Sequence, residues 1–450
     1  MNHNKRILFI SYFYPPLGGP GVQRPIKTIK YLSAKGWKID VLTVKDIQFH
    51  SYDYKLLEES KAENIYRTFS YDVMSLYKLL KNLKSRFNKT DIKKTKTAKD
   101  NKDKIYFKTP EAIKMLVRGI FPIDDKIGWL PCAYSKAINL CRQKEYNAII
   151  ATMGPYTSGI IALKIHEKLK IPFFIDYRDH WTLNAYPQYS FRFLKKHAEH
   201  FERILLNKAY GISVVGSFMK DKLCDFFGKE LNDKIEVIYN GYDEDDFSEY
   251  DRLSKANTKF VFRYIGNFYG YRNVSYFVKA LKFMVKTNQL PDNVIFEFVG
   301  NYYVETLDDL NNQELKDFIK ISPQVEHKTA VELIHSADVL LLFIPDINSD
   351  DVIPGKIFEY LRAKKPILAM IPENGEPAKI LKEAGHTYFS TMENIDSIID
   401  NLKHLINALQ MGDDFGNSFS DEKIVTFSRE NQSYKLEKFI NKQLLSVKRQ

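Results

Sequence analysis

The chain has 450 residues, well beyond the size at which one core keeps growing, so two domains are expected, and its 44% hydrophobic content with alternating strand-like and helix-like runs reads as α/β. Its uncharged apolar runs, such as Val339 to Ile344, are too short to cross a bilayer, and Cys132, Cys141 and Cys224 are too scattered for a disulfide framework or metal site, which fits a reducing cytoplasm. The formal charge of +11 leaves nucleic acid, an anionic membrane face and a polyanionic substrate open as partners.

Lys5 to Tyr12 has a buried-strand pattern. Lys5-Arg6 ahead of Ile7-Leu8-Phe9-Ile10 copies the start of a signal peptide, but Pro15-Pro16 interrupt it and no small-residue cleavage site follows. A glycine-rich loop, Gly18-Gly19-Pro20-Gly21, leads into a helix from Val22 to Lys35 with apolar positions at Val22, Ile26, Ile29 and Leu32, and a second strand runs from Ile39 to Val44. This is a βαβ unit whose first turn is open to a ligand, although the glycines lack the G-x-G-x-x-G spacing of a dinucleotide fingerprint.

Ser51 to Pro110 is the least legible stretch. Leu76, Leu79, Leu80 and Leu83 are spaced for a helix among lysines, and a tract from Lys89 to Lys104 is nearly free of hydrophobic residues. The basic region, about 78–108, reads either as a solvated insertion or as an amphipathic anchor on anionic lipid, where each cation adds about 1 kcal/mol. No aromatic residues interleave the lysines of the tract from Lys89 to Lys104 and no binding motif is visible, so nucleic acid is not expected.

Further along, a helix is expected over Ala133 to Gln143, a strand over Asn147 to Thr152, and a strand over Pro172 to Tyr177 that delivers Arg178-Asp179-His180-Trp181 at its carboxyl end, where α/β sheets bind ligands. Asp179 is therefore a candidate site residue, and Arg178 is either another or its ion-pair partner. A helix over Phe191 to Asn207 carries His197 and His200, which lack a further ligand for a metal. Strands over Tyr210 to Val214 and Ile235 to Tyr239, with a helix over Ser217 to Phe226 between them, complete the first half.

The second half opens with a strand from Phe260 to Ile265, followed by Gly266-Asn267 and Arg272 ahead of a helix, a phosphate-friendly arrangement. A strand over Asn293 to Val299 follows, then a short strand over Val325 to His327 with a helix opening at Thr329 or Ala330. Between apolar runs Val339 to Ile344 and Pro366 to Ile371 lies Asp350-Asp351-Val352-Ile353-Pro354-Gly355-Lys356-Ile357-Phe358-Glu359-Tyr360-Leu361. Pro354 fits the first helical position, and the amides beyond it with the Lys356 ammonium suit a diphosphate. Glu359 shares a helix face with Gly355, and Asp351 sits in the loop ahead. A final helix is expected over Tyr434 to Val447.

The segment from Val352 to Leu361 resembles the donor-site segment of retaining GT-B glycosyltransferases of the family-4 type, whose two acidic residues, usually both Glu, are separated by seven positions; here they are Asp351 and Glu359. Gly18-Gly19-Pro20-Gly21 is similar to the N-terminal loop of those enzymes, Ile175 to Trp181 to their acceptor-side segment, and Asn240-Gly241-Tyr242-Asp243 to their hinge. The resemblance spans nearly the whole chain outside Ser51 to Pro110 and is stronger in the second half.

It implies a GT-B architecture: two Rossmann-like parallel-sheet domains facing each other across a cleft, with residues 1–215 binding the acceptor, 216–430 binding the nucleotide sugar, and a helix over 431–450 crossing back. It further implies transfer of a sugar from a nucleoside-diphosphate donor to a glycan or lipid-linked acceptor with retained configuration, in bacterial surface polysaccharide synthesis. On this reading Lys356, Arg272, the amides at Pro354-Gly355 and the Gly18-Gly19 backbone share the leaving charge, with Gly266 and Asn267 beside them. Asn267 stands where many relatives have Arg. Glu359 receives ribose hydroxyls, Asp351 the sugar, and the peptide groups near His327 the base. Asp179 orients the acceptor, because the His that many relatives carry in the preceding loop is replaced by Met153-Gly154-Pro155.

The family is thought to use front-face attack in which the leaving phosphate takes the acceptor proton. Asp243-Glu244-Asp245 matches a D-x-D string but lies at the hinge, so neither a metal nor a cofactor beyond the donor is expected. A cytoplasmic location, peripheral on the inner face of the membrane, fits a lipid-linked acceptor. Two rivals stand: a nucleotide-sugar epimerase or hydrolase on the same scaffold, which would need its own acid or base near the sugar, and a non-catalytic membrane-associated scaffold.

Overall fold

The computed structural model describes residues 5–45, 47, 52–71, 121, 123–184, 189, 191–247, 259–268, 273–346, 349–413 and 415–447. The basic region at 78–108 and Arg272 lie outside these. The chain forms two compact units, the first comprising Met1–Ser213, Phe227–Glu236 and Phe439–Gln450, the second Val214–Phe226 and Val237–Lys438.

In chain order the elements through the last strand of the first sheet are β1 (Arg6–Ile10), α1 (Pro20–Ala34), β2 (Lys38–Val44), α2 (Lys55–Glu58), β3 (Asn64–Thr68), α3 (Leu130–Gln143), β4 (Ala148–Thr152), α4 (Thr157–Leu169), β5 (Phe173–Tyr177), α5 (Arg192–Lys208), β6 (Gly211–Val214), α6 (Ser217–Phe227), which belongs to the second unit as far as Phe226, and β7 (Ile235–Val237). The seven strands lie in the order β3-β2-β1-β4-β5-β6-β7. Strands β1, β4 and β5 are buried along their whole length, as expected of continuous apolar runs in a parallel sheet. The order reverses between β1 and β4, which pair in parallel, so the loops leaving their carboxyl ends flank a topological switch point.

A buried ion pair fixes α1 against this sheet. Arg24 on α1 donates through Nε and Nη2 to both carboxylate oxygens of Asp176 on β5, at 2.6–3.0 Å. Thr152 and Ser213 donate to the same carboxylate. Burial alone would raise the Asp176 pKa, but the Arg24 charge and these hydrogen bonds more than offset it and hold the group below the ordinary carboxylate range.

The second sheet is built from β8 (Phe260–Ile265), α7 (Ser275–Lys286), β9 (Val294–Val299), α8 (Val304–Leu310), β10 (Ile319–Ser322), α9 (His327–Ser336), β11 (Val339–Phe343), α10 (Lys356–Arg362), β12 (Ile367–Met370), α11 (Glu376–Glu383), β13 (Phe389–Ser390) and α12 (Ile395–Met411). Its strand order, β10-β9-β8-β11-β12-β13, repeats the reversal between β8 and β11. One core on each face of the sheet holds it, around Phe262, Phe277 and Leu402 on one side and Leu340, Phe358 and Leu381 on the other.

The expected strand over Val325 to His327 is absent. Ile319 to Ser322 pairs with β9 instead, in the register Ile319↔Phe296, and His327 opens α9 with Glu326 as its cap. Two helices close the chain, α13 (Asp421–Thr426) and α14 (Arg429–Val447). The first ten residues of α14 belong to the second unit and Phe439 onward to the first. There the Phe439 ring meets Phe174 at 6.4 Å and fills the space beside Gly211, where a Cβ would stand 2.7 Å from it.

Replacing Asp176 by Asn leaves Arg24 buried beside a neutral partner and is expected to cost about 3–5 kcal/mol in urea denaturation. The wild-type contribution is fully present above the unfolded carboxylate pKa of about 3.9 and is lost as pH falls through the lower folded value, so the variant's deficit should shrink in acid.

Candidate functional site

In the second unit the described residues among those the sequence predicts gather at the carboxyl ends of the strands. Lys356, the first residue of α10, folds back so that Nζ donates to the Ile265 carbonyl at 2.6 Å and lies 3.9 Å from the centre of the Tyr264 ring. Gly266 makes this possible. Its φ is 138°, and a Cβ there would stand 2.5 Å from Lys356 Nζ. The neighbouring strand ends as closely, since a Cβ on Gly300 would meet the Gly266 carbonyl at 2.2 Å. Asn267 accepts a hydrogen bond from the Asn301 amide at 2.8 Å and so ties the loop after β8 to the loop after β9.

Glu359 sits one turn into α10, and its Oε1 lies 3.0 Å from Nε2 of His327 at the start of α9. The Glu359 side chain keeps 22% of its surface exposed. Burial acts to raise its pKa, but the His327 hydrogen bond, with the charges of His327, Arg429 and Lys356, outweighs this and keeps it ionised below the usual range. An acidic residue in this first turn also complements the helix dipole.

Pro354 is not the first helical residue. The first bond of the turn runs from the Ile357 amide to the Pro354 carbonyl, a tight i to i+3 step, so Gly355 becomes the cap and α10 begins at Lys356. Asp351 is paired rather than open: its side chain is 7% exposed and meets Lys222 of α6 at 3.1 Å, while Lys222 also reaches Asp350 at 2.9 Å. Burial would lower the Lys222 pKa, yet the two carboxylates hold it above the ordinary lysine value.

Glu376, fully buried at the start of α11, anchors the same loop. Its carboxylate accepts from Ser217 Oγ, the Phe218 amide and Tyr239 OH at 2.7–3.0 Å, and its own amide donates to the Asp350 carbonyl. The sequence reading gave Lys222 and Glu376 no role. The only local signal is Glu376 itself, an acid between Gly375 and Pro377 where a helix opens.

In the first unit Gly19, with φ 92°, caps α1. Gly18 is buried in the loop ahead of it. Arg178 donates to the carbonyls of Gly21, Met153 and Gly154 and so clamps the glycine loop to the loop after β4. Asp179 is exposed at the carboxyl end of β5, close to Gly154, where a Cβ would lie 3.9 Å from its Oδ2. In the D-x-D string, Asp243 accepts from the Asp245 amide and Glu244 chelates the Arg362 guanidinium, which gives both structural work. Among the described residues no group of three or more His, Cys, Asp or Glu is placed to hold a metal ion, and no helix is long and apolar enough to cross a membrane.

The sequence profile of Glycosyltransferase Family 4 matches residues 97–246, mostly in the first half of the chain, whereas the motif resemblance is stronger in the second. No curated protein sequence matches the chain. Among solved structures, a glycosyltransferase from Rickettsia africae is similar at 16% identity and TM-score 0.57, covering 98% of this chain and 99% of that one. A TarM variant from S. aureus is similar at 12% and TM-score 0.60, over 97% and 100%. A Listeria monocytogenes protein described as a UDP-N-acetylglucosamine 2-epimerase is similar at 9% and TM-score 0.53, over 99% and 98%. These likenesses establish the GT-B fold.

A Gly266→Ala substitution forces Lys356 off the Ile265 carbonyl and places a side chain at positive φ. It is expected to destabilise the chain by about 1–3 kcal/mol in urea titration, with the cation displaced from the loop after β8.

Proposed function

We propose that this chain is a retaining glycosyltransferase that moves a sugar from a nucleoside-diphosphate donor to a hydroxyl of a glycan or lipid-linked acceptor, in bacterial surface polysaccharide synthesis. The observation that carries this is the convergence, at the carboxyl end of the second sheet, of a preset ammonium (Lys356 on Ile265), a backbone stripped of Cβ at Gly266, and the ionised Glu359 held by His327. Ligands in open α/β sheets bind outside that end of the strands. The Family 4 profile supports the same reading, and the S. aureus TarM structure contains UDP and α-GlcNAc-glycerol.

The chemical burden is a departing diphosphate opposite an anomeric carbon that becomes cationic. Lys356 supplies fixed positive charge for the leaving group, joined by the backbone amide of Gly355. Glu359 accepts hydrogen bonds from donor hydroxyls. Asp351, shortened and paired with Lys222, reaches the sugar only by exchanging that partner. Asp179 orients the acceptor hydroxyl, whose proton passes to the leaving phosphate. A lipid-linked acceptor would place the enzyme on the cytoplasmic face of the membrane.

A thermal-shift screen of nucleoside diphosphates and their sugars tests the donor site: a donor at a hundredfold over its Kd adds about 2.7 kcal/mol. Lys356→Ala should lower turnover by about 10²–10³-fold, and Glu359→Ala should weaken donor binding; a scaffold would keep its activity in vivo with either change. Excess chelator should leave transfer unchanged, and loss restored by manganese would overturn the metal-free reading. The likeness to the L. monocytogenes protein keeps one rival alive. If donor is consumed equally with and without acceptor, the enzyme is a hydrolase or epimerase.

A further inference from the structure

Helix α5 breaks several rules of helix construction at its start. Its cap is Phe191, which has no side-chain oxygen to accept from the first amides. The first turn holds Arg192 and no acid, so the nearest charge opposes the helix dipole. Phe191 and Phe193 are 51% and 67% exposed and stack on each other, with ring centroids 5.7 Å apart. Lys195 and Lys196 follow, both exposed, so residues 191–198 carry three cations and no acid before Glu199, which meets Lys195 at 3.7 Å. Two aromatic rings in water and cations against a dipole each work against stability, and a cluster of such local conflicts marks a functional place.

We infer that this corner of the first unit is a docking surface for an anionic lipid bilayer, with Phe191 and Phe193 entering the headgroup boundary and Arg192, Lys195 and Lys196 facing lipid phosphates. The surface combines the two requirements for interfacial binding: apolar rings beside a cationic face, on a helix too polar to insert across the membrane. Charge complementarity selects the occupant. An apolar protein partner would account for the phenylalanines but not for the cations, and a polyanion without exposed bases would account for the cations but not for the rings; a single-stranded nucleic acid, whose bases stack on rings, is the rival, and equal binding of an oligonucleotide that displaces the vesicles would overturn the proposal. The site is distant in sequence from the basic region at 78–108. It adds to the proposed transferase activity a means of bringing the chain to a lipid-linked acceptor, and it stands or falls independently of the donor site.

The test is flotation of the full chain with vesicles of phosphatidylcholine alone or mixed equally with phosphatidylglycerol. Binding should require phosphatidylglycerol and weaken with salt. Changing Phe191 and Phe193 together to Ser should reduce partitioning by tenfold or more, and changing Arg192, Lys195 and Lys196 to Gln should reduce it by about fivefold per cation. These side chains are exposed, so circular dichroism and nucleotide-induced thermal shifts should match the wild type, which separates this surface from the donor site. Three further results would overturn the proposal: no vesicle binding by the wild type, binding unchanged in both variants but lost when the lysines of residues 89–104 become Gln, or a change of oligomeric state in the variants with vesicle binding intact.

Discussion

The second unit depends on an ammonium folded over the end of a strand. Lys356 reaches the Ile265 carbonyl only because residue 266 has no Cβ, and it stays there because the Tyr264 ring lies beneath it. A cation over a desolvated aromatic face gains about 2 kcal/mol, so the position is held before any ligand arrives. The end of β8 and a lysine 91 positions further along the chain thereby act as one device. A charge fixed in advance costs no reorganisation when an anion approaches, which is the physical basis of electrostatic catalysis.

The acids of the two units divide by burial. Asp176 and Glu376 are buried and surrounded by donors, so they hold elements in place: α1 against β5 in one case, the loop ahead of α10 against α6 in the other. Glu359 and Asp179 keep exposed surface at strand carboxyl ends. Asp351 sits between these classes, almost covered yet tied to a lysine that is itself partly exposed. The family resemblance treats Asp351 and Glu359 as a matched pair, whereas here their surroundings differ sharply.

Much of this was legible in the amino-acid pattern. Strands such as β1, β4 and β11 read clearly because a strand covered on both faces is a continuous apolar run. β10 escapes the pattern because it is an edge strand of mixed burial, Ile319-Lys320-Ile321-Ser322, whose signal is brief, and Val325 beyond Pro323 is more apolar than its place in a loop requires. Gly266, Lys356 and Glu359 could be found by spacing around strand ends. Lys222 and Glu376 could not, since their partners lie 128 and 159 residues away and no periodicity reports such a contact. The helix start at Lys356 rather than Pro354 turned on one tight hydrogen bond, a detail below the resolution of any pattern.

The recess beside Gly211 has a consequence for biosynthesis. The ring that fills it belongs to Phe439, although the strands around it are encoded in the first half of the chain. A ribosome therefore releases those strands long before their last packing partner exists, and an intermediate lacking that plug must wait, with apolar surface bare, while more than two hundred further residues emerge. Completion of the earlier-made half is thus coupled to the translation of the later one.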